Sequence, residues 1–265
     1  MITWDPQAYL RAADERARPF LDLVARVEAT APRRVVDLGC GPGNLTALLG
    51  ERWPGAELHA VDSSPDMVAA TRSTGIDAVL GDVTRWTPGP HDDVVVCNAV
   101  LQWVPGHDEL LRRWATALAL GGWLAFQVPG NFAAPSHVLI RGHADDPRWR
   151  DRLHDAAGDT PGPGLLRGED AVLDPARYAE ILAGTGCEVD AWETTYLHRL
   201  TGPDPVLAWV TGTALRPVRT ALTDAEWAEF TAELAPRLRA AYPARADGTT
   251  WFPFRRLFAV AHRPA

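Results

Sequence analysis

The run Val35-Val36-Asp37-Leu38-Gly39-Cys40-Gly41-Pro42-Gly43 constrains this chain more than any other segment. Its first four residues are an apolar stretch ending beside an acid, and the glycines and proline that follow cannot continue as strand or helix. Leu45, Leu48, Leu49 and Trp53 then recur at helical spacing. The segment is therefore a strand, a glycine turn and a helix. Glycine at such a turn permits positive φ and lets a ligand lie against bare backbone, while the helix start offers N–H groups without intrahelical partners. A small-molecule ligand is the first expectation.

The units that follow repeat the theme. Glu57-Leu58-His59-Ala60-Val61 is a second strand that ends at Asp62, 19 residues beyond Gly43, where an acid can accept hydrogen bonds from both hydroxyls of a ribose. Ser63, Ser64 and Pro65 read as the cap and first turn of a helix. Ala78-Val79-Leu80-Gly81-Asp82-Val83 sets another acid after a short apolar run, and Asp92-Asp93-Val94-Val95-Val96-Cys97-Asn98 is a fourth strand with a polar end. Taken singly, each acid reads equally well as a cap or turn residue. As an ordered set, Asp37, Asp62, Asp82 and Asn98 are expected to converge on one crevice, because open parallel sheets bind ligands beyond the carboxyl ends of their strands.

The glycine spacing here is G-x-G-x-G, not the G-x-G-x-x-G of nicotinamide dinucleotide sites. Asp37, two residues before the first glycine, places negative charge at the turn, which opposes a pyrophosphate and favours a cation. S-adenosylmethionine (SAM), with its amino and sulfonium groups, answers that description. In this motif the chain resembles the seven-strand class I SAM-dependent methyltransferases. The resemblance implies that Gly39, Gly41 and Gly43 lie against the methionine part, that Asp62 holds the ribose, and that Asp82 with Val83 meets the adenine edge. Asp37, Ser63, Met67 and Asn98 complete the expected cofactor set.

Further along, Leu110, Leu111, Trp114 and Leu118 form a helical pattern closed by Gly121-Gly122, and Trp123 to Val128 is a fifth strand stopped by Pro129-Gly130. Cys187 to Leu197 and Arg256 to His262 read as late strands; the resemblance makes them the last two of seven, one antiparallel. The expected fold is thus α/β, a doubly wound, Rossmann-like sheet of seven mostly parallel strands in a single domain spanning 1–265. Its SAM-binding core covers about 30–130, and an inserted helical cap or lid draws on about 1–25, 131–176 and 203–250. Within these, 142–176 is dense in Gly, Pro and Asp and suits a mobile loop or lid. Helical patterns cover about 204–215 and 223–241, with Trp209, Trp227 and Phe230 as packing anchors.

Composition narrows the partners. With 265 residues and 46% hydrophobic content the chain can bury one sizeable core. A net charge of −8 repels polyanions, so neither nucleic acid nor an acidic membrane surface is expected as a partner. The N-terminus lacks a basic segment followed by an apolar one and no run reaches the roughly 18 apolar residues of a membrane helix, so cytoplasmic residence is the default. Cys40, Cys97 and Cys187 are few and far apart, suggesting small buried residues, with neither a disulfide framework nor a metal site. There is no lysine, so every fixed cation is an arginine, whose planar fork suits carboxylates.

Segments outside the cofactor motif extend the resemblance. Trp4-Asp5-Pro6, Tyr9-Leu10, Glu15 to Pro19, Asn98 to Pro105, His137 to Arg141, Cys187 to Trp192, Thr194 to His198, Trp209 to Thr211, Leu215 to Pro217 and Arg256 to Phe258 are similar to carboxyl O-methyltransferases that act on trans-aconitate, with residues 142–176 departing most. This implies transfer of a methyl group to a carboxylate of a small dicarboxylate or tricarboxylate, giving a monomethyl ester. A carboxylic acid with a pKa near ~4 is already ionised at neutral pH, so no catalytic acid or base is expected; the work lies in positioning and desolvation. Gln102 and Trp103 are expected near the methyl, and Arg141, Tyr196, His198, Arg216 and Arg256 on the substrate. Arg11, Arg16 and Arg18 are candidates for the SAM carboxylate or for closing over the substrate. Two other readings stand beside this one. A SAM-dependent methyltransferase of a secondary metabolite at phenol or carbon would need a base and would leave arginines unpaired. A SAM-binding protein without catalysis would keep the cofactor residues alone.

Overall fold

The computed structural model describes residues 13–157 and 165–265. The segments at Trp4 to Pro6, Tyr9 and Leu10, the side chains of Glu15 and Arg16, and the whole of Arg11 lie outside the described residues, as does 158–164 of the expected lid. The chain forms two compact units, one made of residues up to Pro129 with Val172–Thr194 and Arg256–Ala265, the other of Gly130–Ala171 and Thr195–Arg255.

In the first unit, helix Ala13–Val24 (α1) precedes strand Arg34–Leu38 (β1), and the elements then alternate as the apolar periods dictate: Asn44–Arg52 (α2), Glu57–Asp62 (β2), Pro65–Ser73 (α3), Ala78–Leu80 (β3), Asp92–Asn98 (β4), His107–Ala117 (α4) and Trp123–Pro129 (β5). Helices Pro135–Ala144 (α5) and Pro147–Ala157 (α6) belong to the second unit, and Pro175–Ala183 (α7) returns to the first. Strand Glu188–Leu200 (β6), helices Pro205–Thr211 (α8), Arg216–Ala221 (α9) and Asp224–Ala241 (α10), and strand Thr250–His262 (β7) complete the chain.

The sheet order is β3-β2-β1-β4-β5-β7-β6, with β1 to β5 mutually parallel and β7 antiparallel to β5. Val35, Val36 and Leu38 of β1, Val94 to Cys97 of β4 and Leu124 to Phe126 of β5 are all buried. Strands covered on both faces lose the alternation of half-exposed ones, which is why these segments read as continuous apolar runs. Tyr178 on α7 is fully buried in this core; its hydroxyl pairs with His107 Nε2 at 2.9 Å and accepts the Leu173 N–H at 3.1 Å.

The second unit has a core of its own around Ile140, Trp149, Leu153, Val210, Phe230, Leu234 and Phe252. Its longest helix, α10, opens with a capping box in which the Thr223 hydroxyl accepts the Glu226 N–H and the Glu226 carboxylate accepts the Thr223 N–H.

Several expectations fail in this region. Residues 142–176, expected as a mobile loop or lid without a core element, contain the end of α5, all of α6 and the start of α7, and Trp149 and Leu153 of α6 are buried in the core of the second unit. Proline is the main reason: Pro135, Pro147 and Pro175 each open a helix, where the missing N–H costs nothing and φ is already suitable. Among the described side chains of α6, Trp149 and Leu153, four residues apart, are the buried ones, a short apolar stripe among arginines and aspartates. The helical pattern expected over 204–215 ends earlier, at Thr211, and a second short helix, α9, begins at Arg216-Pro217. β7 starts at Thr250, six residues ahead of the expected Arg256, and passes through Pro253, a residue type that argues against a strand interior.

Candidate active site

The glycine turn is fixed from three directions. Gly39 N–H and Cys40 N–H donate to the Val61 carbonyl at the end of β2, at 2.7 and 3.1 Å. The Gly41 N–H donates to Asp62 Oδ2 at 2.9 Å, and the Gly41 carbonyl accepts the Thr71 hydroxyl of α3 at 2.8 Å. All three glycines have positive φ: 78°, 57° and 83° at positions 39, 41 and 43. Their surroundings differ, however. A Cβ on Gly39 would meet Val100 Cγ2 at 2.1 Å and one on Gly43 would meet Thr71 Cγ2 at 2.9 Å, so these two glycines serve packing inside the protein. A Cβ on Gly41 would have no atom within 4 Å. Gly41 thus presents bare backbone to open space, the cradle that a bound group needs.

The acids divide into distinct roles. Asp37 is 2% exposed, and its Oδ2 accepts the Thr46 hydroxyl at 2.6 Å. Burial, only partly offset by that bond and aided by the nearby negative charge of Asp62, raises its pKa from 3.8 to about 6. An isolated buried carboxylate of this kind is stabilised by a cation and destabilised by an anion. Asp62 is also shifted upward by burial, opposed by backbone N–H bonds from Ser64, Gly41 and Ser63. A carboxylate has about four acceptor positions, so oxygens held in this way keep capacity for further donors. Asp82, by contrast, is exposed beyond β3; Oδ1 accepts both the N–H and hydroxyl of Thr84, which hold its pKa low. The strand order sets Asp82, Asp62, Asp37 and Asn98 side by side at the carboxyl ends of β3, β2, β1 and β4.

The remaining cofactor candidates lie close by. Ser63 is exposed, Val83 is buried, and Met67 is 2% exposed in the first turn of α3, where its N–H meets the N-cap Ser64 hydroxyl at 3.5 Å. Asn98 Oδ1 accepts from Gln127 Nε2 at 2.5 Å, and Gln127 Oε1 accepts from Arg256 Nη1 at 3.3 Å. Gln127 and Arg256 are buried, so β4, β5 and β7 are joined by one polar chain. Just after β4, Ala99 has φ 57°, the one non-glycine residue with positive φ among those described. Its N–H is held by the Gln127 carbonyl at 2.9 Å and its carbonyl by Gln102 Nε2 at 2.7 Å. Backbone held in so sparsely populated a region is over-determined by its surroundings and is concentrated at functional sites. Gln102 is buried and its Oε1 has no hydrogen-bond donor; Trp103, half-buried, follows it in the 3₁₀ turn Leu101–Trp103.

The substrate candidates do not form one group. Arg256 belongs to the first unit; Arg141, Tyr196, His198 and Arg216 belong to the second. His198 is buried, stacked on Trp209 at 4.6 Å and tilted against Phe254, as a packed aromatic ring would be. Tyr196 is 3% exposed, and half-buried Arg216 starts α9. Arg141 donates to the carbonyls of Phe132 and Arg167. Arg18, on α1, is exposed. Thr46, Thr71, Gln127 and Asn131 went unread in the sequence. No local pattern marks Thr71, 30 residues from the glycine whose carbonyl it holds, but extending the strand-end rule to β5 would have found Gln127 and Asn131.

A mostly parallel sheet with β7 antiparallel to β5, a glycine turn after β1 and an acid at the end of β2 is the architecture of the class I SAM-dependent methyltransferases. A methyltransferase-domain family model matches residues 9–191. The fold is similar to that of Haemonchus contortus phosphoethanolamine N-methyltransferase 2 in complex with SAM, at a TM-score of 0.56 and 14% identity over 98% of this chain and 57% of that one. Much nearer in sequence are the trans-aconitate 2-methyltransferases of Mycobacterium sp. (strain KMS) and Rhodococcus jostii (strain RHA1), each 60% identical over 97% of this chain and 98% of its own length. The chain belongs to the trans-aconitate 2-methyltransferase family.

Proposed function

We propose that this protein is a SAM-dependent carboxyl O-methyltransferase acting on trans-aconitate or a closely related small tricarboxylate. SAM, when bound, would supply an electrophilic methyl on its sulfonium; as the O–CH3 bond to an acceptor carboxylate forms, the S–CH3 bond breaks, giving a monomethyl ester and the neutral thioether S-adenosylhomocysteine. The observation that carries the reading is the buried Asp37 behind a glycine turn open at Gly41, a pairing that suits a cationic ligand and not a pyrophosphate. Identity of 60% across 97% of the chain with enzymes named for trans-aconitate supports the acceptor.

The chain's own residues then have separable tasks. Gly39, Gly41 and Gly43 shape the turn for the methionine part, Asp62 with Ser63 takes the ribose hydroxyls, and Asp82, Val83 and Met67 serve the adenine. Asn98, Gln102 and Trp103 border the reacting methyl, with Ala99 held in its strained conformation to set them. No proton has to be removed, since the acceptor carboxylate is ionised well below neutral pH. What these residues contribute is exclusion of water and placement of the reacting atoms within roughly 3–3.5 Å. Arg141 and Arg256 are the arginines best suited to the acceptor; the stacking of His198 on Trp209 supports a packing role for that ring. Among the described residues no helix is long and apolar enough to cross a membrane. Cytoplasmic residence belongs to the same proposal, since the cofactor and acceptor it invokes are both small charged metabolites.

The test is a tritiated-methyl transfer assay with trans-aconitate, cis-aconitate, isocitrate and a phenolic control. Base-labile label on trans-aconitate above the others is the expected result. Base-stable label on the phenol would instead favour the secondary-metabolite reading, and intact SAM binding without transfer to any of the four would leave only the cofactor half of the reading standing, with the acceptor to be sought elsewhere.

A further inference from the structure

Beyond the strand ends, one cluster of polar side chains in the second unit has no role in the fold that accounts for its composition. It gathers around the start of α5. Asn131 is 2% exposed, yet neither its Nδ2 nor its Oδ1 has a hydrogen-bond partner. One residue on, the Phe132 carbonyl accepts from Arg141 Nη1 at 2.7 Å, and the same nitrogen reaches the Arg167 carbonyl at 3.5 Å. His137 lies between these elements, its Nδ1 3.2 Å from the Ser136 hydroxyl and its ring edge-on to Phe132 at 5.6 Å. Burial and then the charges of Arg141 and Arg167 push His137 down to about 4, so both guanidinium groups act on the same imidazole and that imidazole is neutral. Burial likewise pushes Arg167 down to about 9, a measure of how far its charge is removed from water. Arg141 reaches the Glu169 carboxylate only at 3.9 Å, and that side chain is 67% exposed, too distant and too wet to hold the guanidinium firmly.

A buried amide whose donor and acceptor are both unsatisfied is unfavourable by itself. A carboxylate beside it would accept from the Asn131 Nδ2–H and meet the two guanidiniums at once, in charge-assisted hydrogen bonds. We infer that Asn131, Arg141 and Arg167 form an anion subsite that holds a carboxylate of the acceptor that does not react. The inference rests on the tricarboxylate reading proposed above and adds residues to it: Asn131 and Arg167 set acceptor specificity by requiring a second carboxylate. His137, kept neutral by burial and then by the pair, is a spacer whose protonation would place a third positive charge there.

Two near-isosteric variants test this, Asn131→Leu and Arg167→Met, assayed for methyl transfer to trans-aconitate, for SAM affinity by calorimetry and for thermal melting. The expected result is a KM for trans-aconitate raised at least ~tenfold in both, a smaller change in kcat, unchanged SAM affinity, and a loss of the discrimination between tricarboxylate and monocarboxylate acceptors. Asn131→Leu removes an unsatisfied buried amide, so it should melt no lower than the parent, which keeps the test valid if Arg167→Met folds poorly. Wild-type KM values in the folded variants would overturn the inference. If the parent protein methylates no carboxylate at all, the reading of the reaction has failed, and the subsite is judged by binding alone. Millimolar tricarballylate should then raise the melting temperature of the parent but not of Asn131→Leu, and no rise in the parent would refute it.

Discussion

Replacing Asp37 by asparagine separates what this residue costs the fold from what it gives to the cofactor. Burial raises the Asp37 pKa from 3.8 to about 6. The folded value lies above the unfolded one, so between about pH 4 and pH 6 the folded protein retains a proton that the unfolded chain has released. Stability therefore falls as pH rises through that window and levels off above it. At roughly 1.4 kcal/mol per tenfold, the gap amounts to about 3 kcal/mol of stability absent at pH 7. The amide of Asp37→Asn cannot ionise, but its oxygen can still accept the Thr46 hydroxyl now at 2.6 Å. Urea denaturation of the cofactor-free protein at pH 4, 5, 6 and 7.5 should show the variant gaining on the parent by about 2.4 kcal/mol across the series, the rest of the gap lying below pH 4, whatever constant offset a buried amide N–H introduces. SAM affinity should move the other way: weaker in the variant at pH 7.5, and without the loss below pH 6 that the parent shows when Asp37 protonates. Parallel stability profiles for the two proteins, or a SAM affinity that ignores the substitution, would refute the assignment of Asp37 as a buried anion kept for a cationic ligand.

Other substitutions sort the remaining parts. Asp62→Ala removes a proposed ribose partner and the acceptor of the Gly41 N–H, and should weaken SAM binding at least ~tenfold, about 1.4 kcal/mol, by calorimetry. Gly41→Ala puts a methyl into the open cradle at φ 57° and should abolish measurable SAM binding while lowering stability by only about 1–2 kcal/mol. Gly39→Ala, which drives its Cβ against Val100, should instead lower the melting temperature sharply with or without ligand. The kcat profile should be flat from about pH 6.5 to 9, because the acceptor is ionised throughout; a rise with an apparent pKa near ~8 would indicate a base and a different acceptor.

What could be read in advance followed from periodicity. Buried parallel strands are continuous apolar runs, and the polar residue that ends each one is where a ligand can reach the sheet, so β1 to β5 with Asp37, Asp62, Asp82 and Asn98 were legible. In the second unit the helices at Pro205–Thr211 and Asp224–Ala241 were legible as periodic patterns, while those at Pro135–Ala144 and Pro147–Ala157 and the break before Arg216 were not. The unread helices open on Pro135, Pro147 and Arg216-Pro217, and a proline at a helix start looks in sequence like a proline in a loop. The substrate residues were harder still, because an arginine on a helix face and an arginine held by backbone carbonyls have the same local sequence. His198 shows how little a local pattern says of surroundings: nothing in Thr194 to His198 announces that the imidazole stacks on Trp209 and tilts against Phe254. Asp37 was legible in position, but not that it would be sealed at 2% exposure behind Thr46, which makes it a source of field more than a contact surface.

The two units carry opposite charge where each meets its proposed ligand, and this bears on turnover. The first sets buried Asp37 and partly buried Asp62 around the glycine turn; the second sets the charges of Arg141 and Arg167 on His137. The net charge of −8 therefore says little about what either site prefers, since a local pair of partly buried guanidiniums is screened far less than the surface. Methyl transfer to a carboxylate removes one positive charge from the cofactor and one negative charge from the acceptor together. On the proposed assignments Asp37 would then face a ligand without its sulfonium charge, while the arginines would keep the carboxylates that did not react. The acidic side should accordingly discriminate between SAM and its demethylated product, with Asp37→Asn reducing the preference for SAM; the basic side should hold the monomethyl ester nearly as well as the acid. An ester that inhibits with a Ki close to the acceptor's Kd is the outcome expected if the arginine cluster grips the unreacted groups. An ester bound ~100-fold more weakly would mean that the arginines grip the carboxylate that reacts.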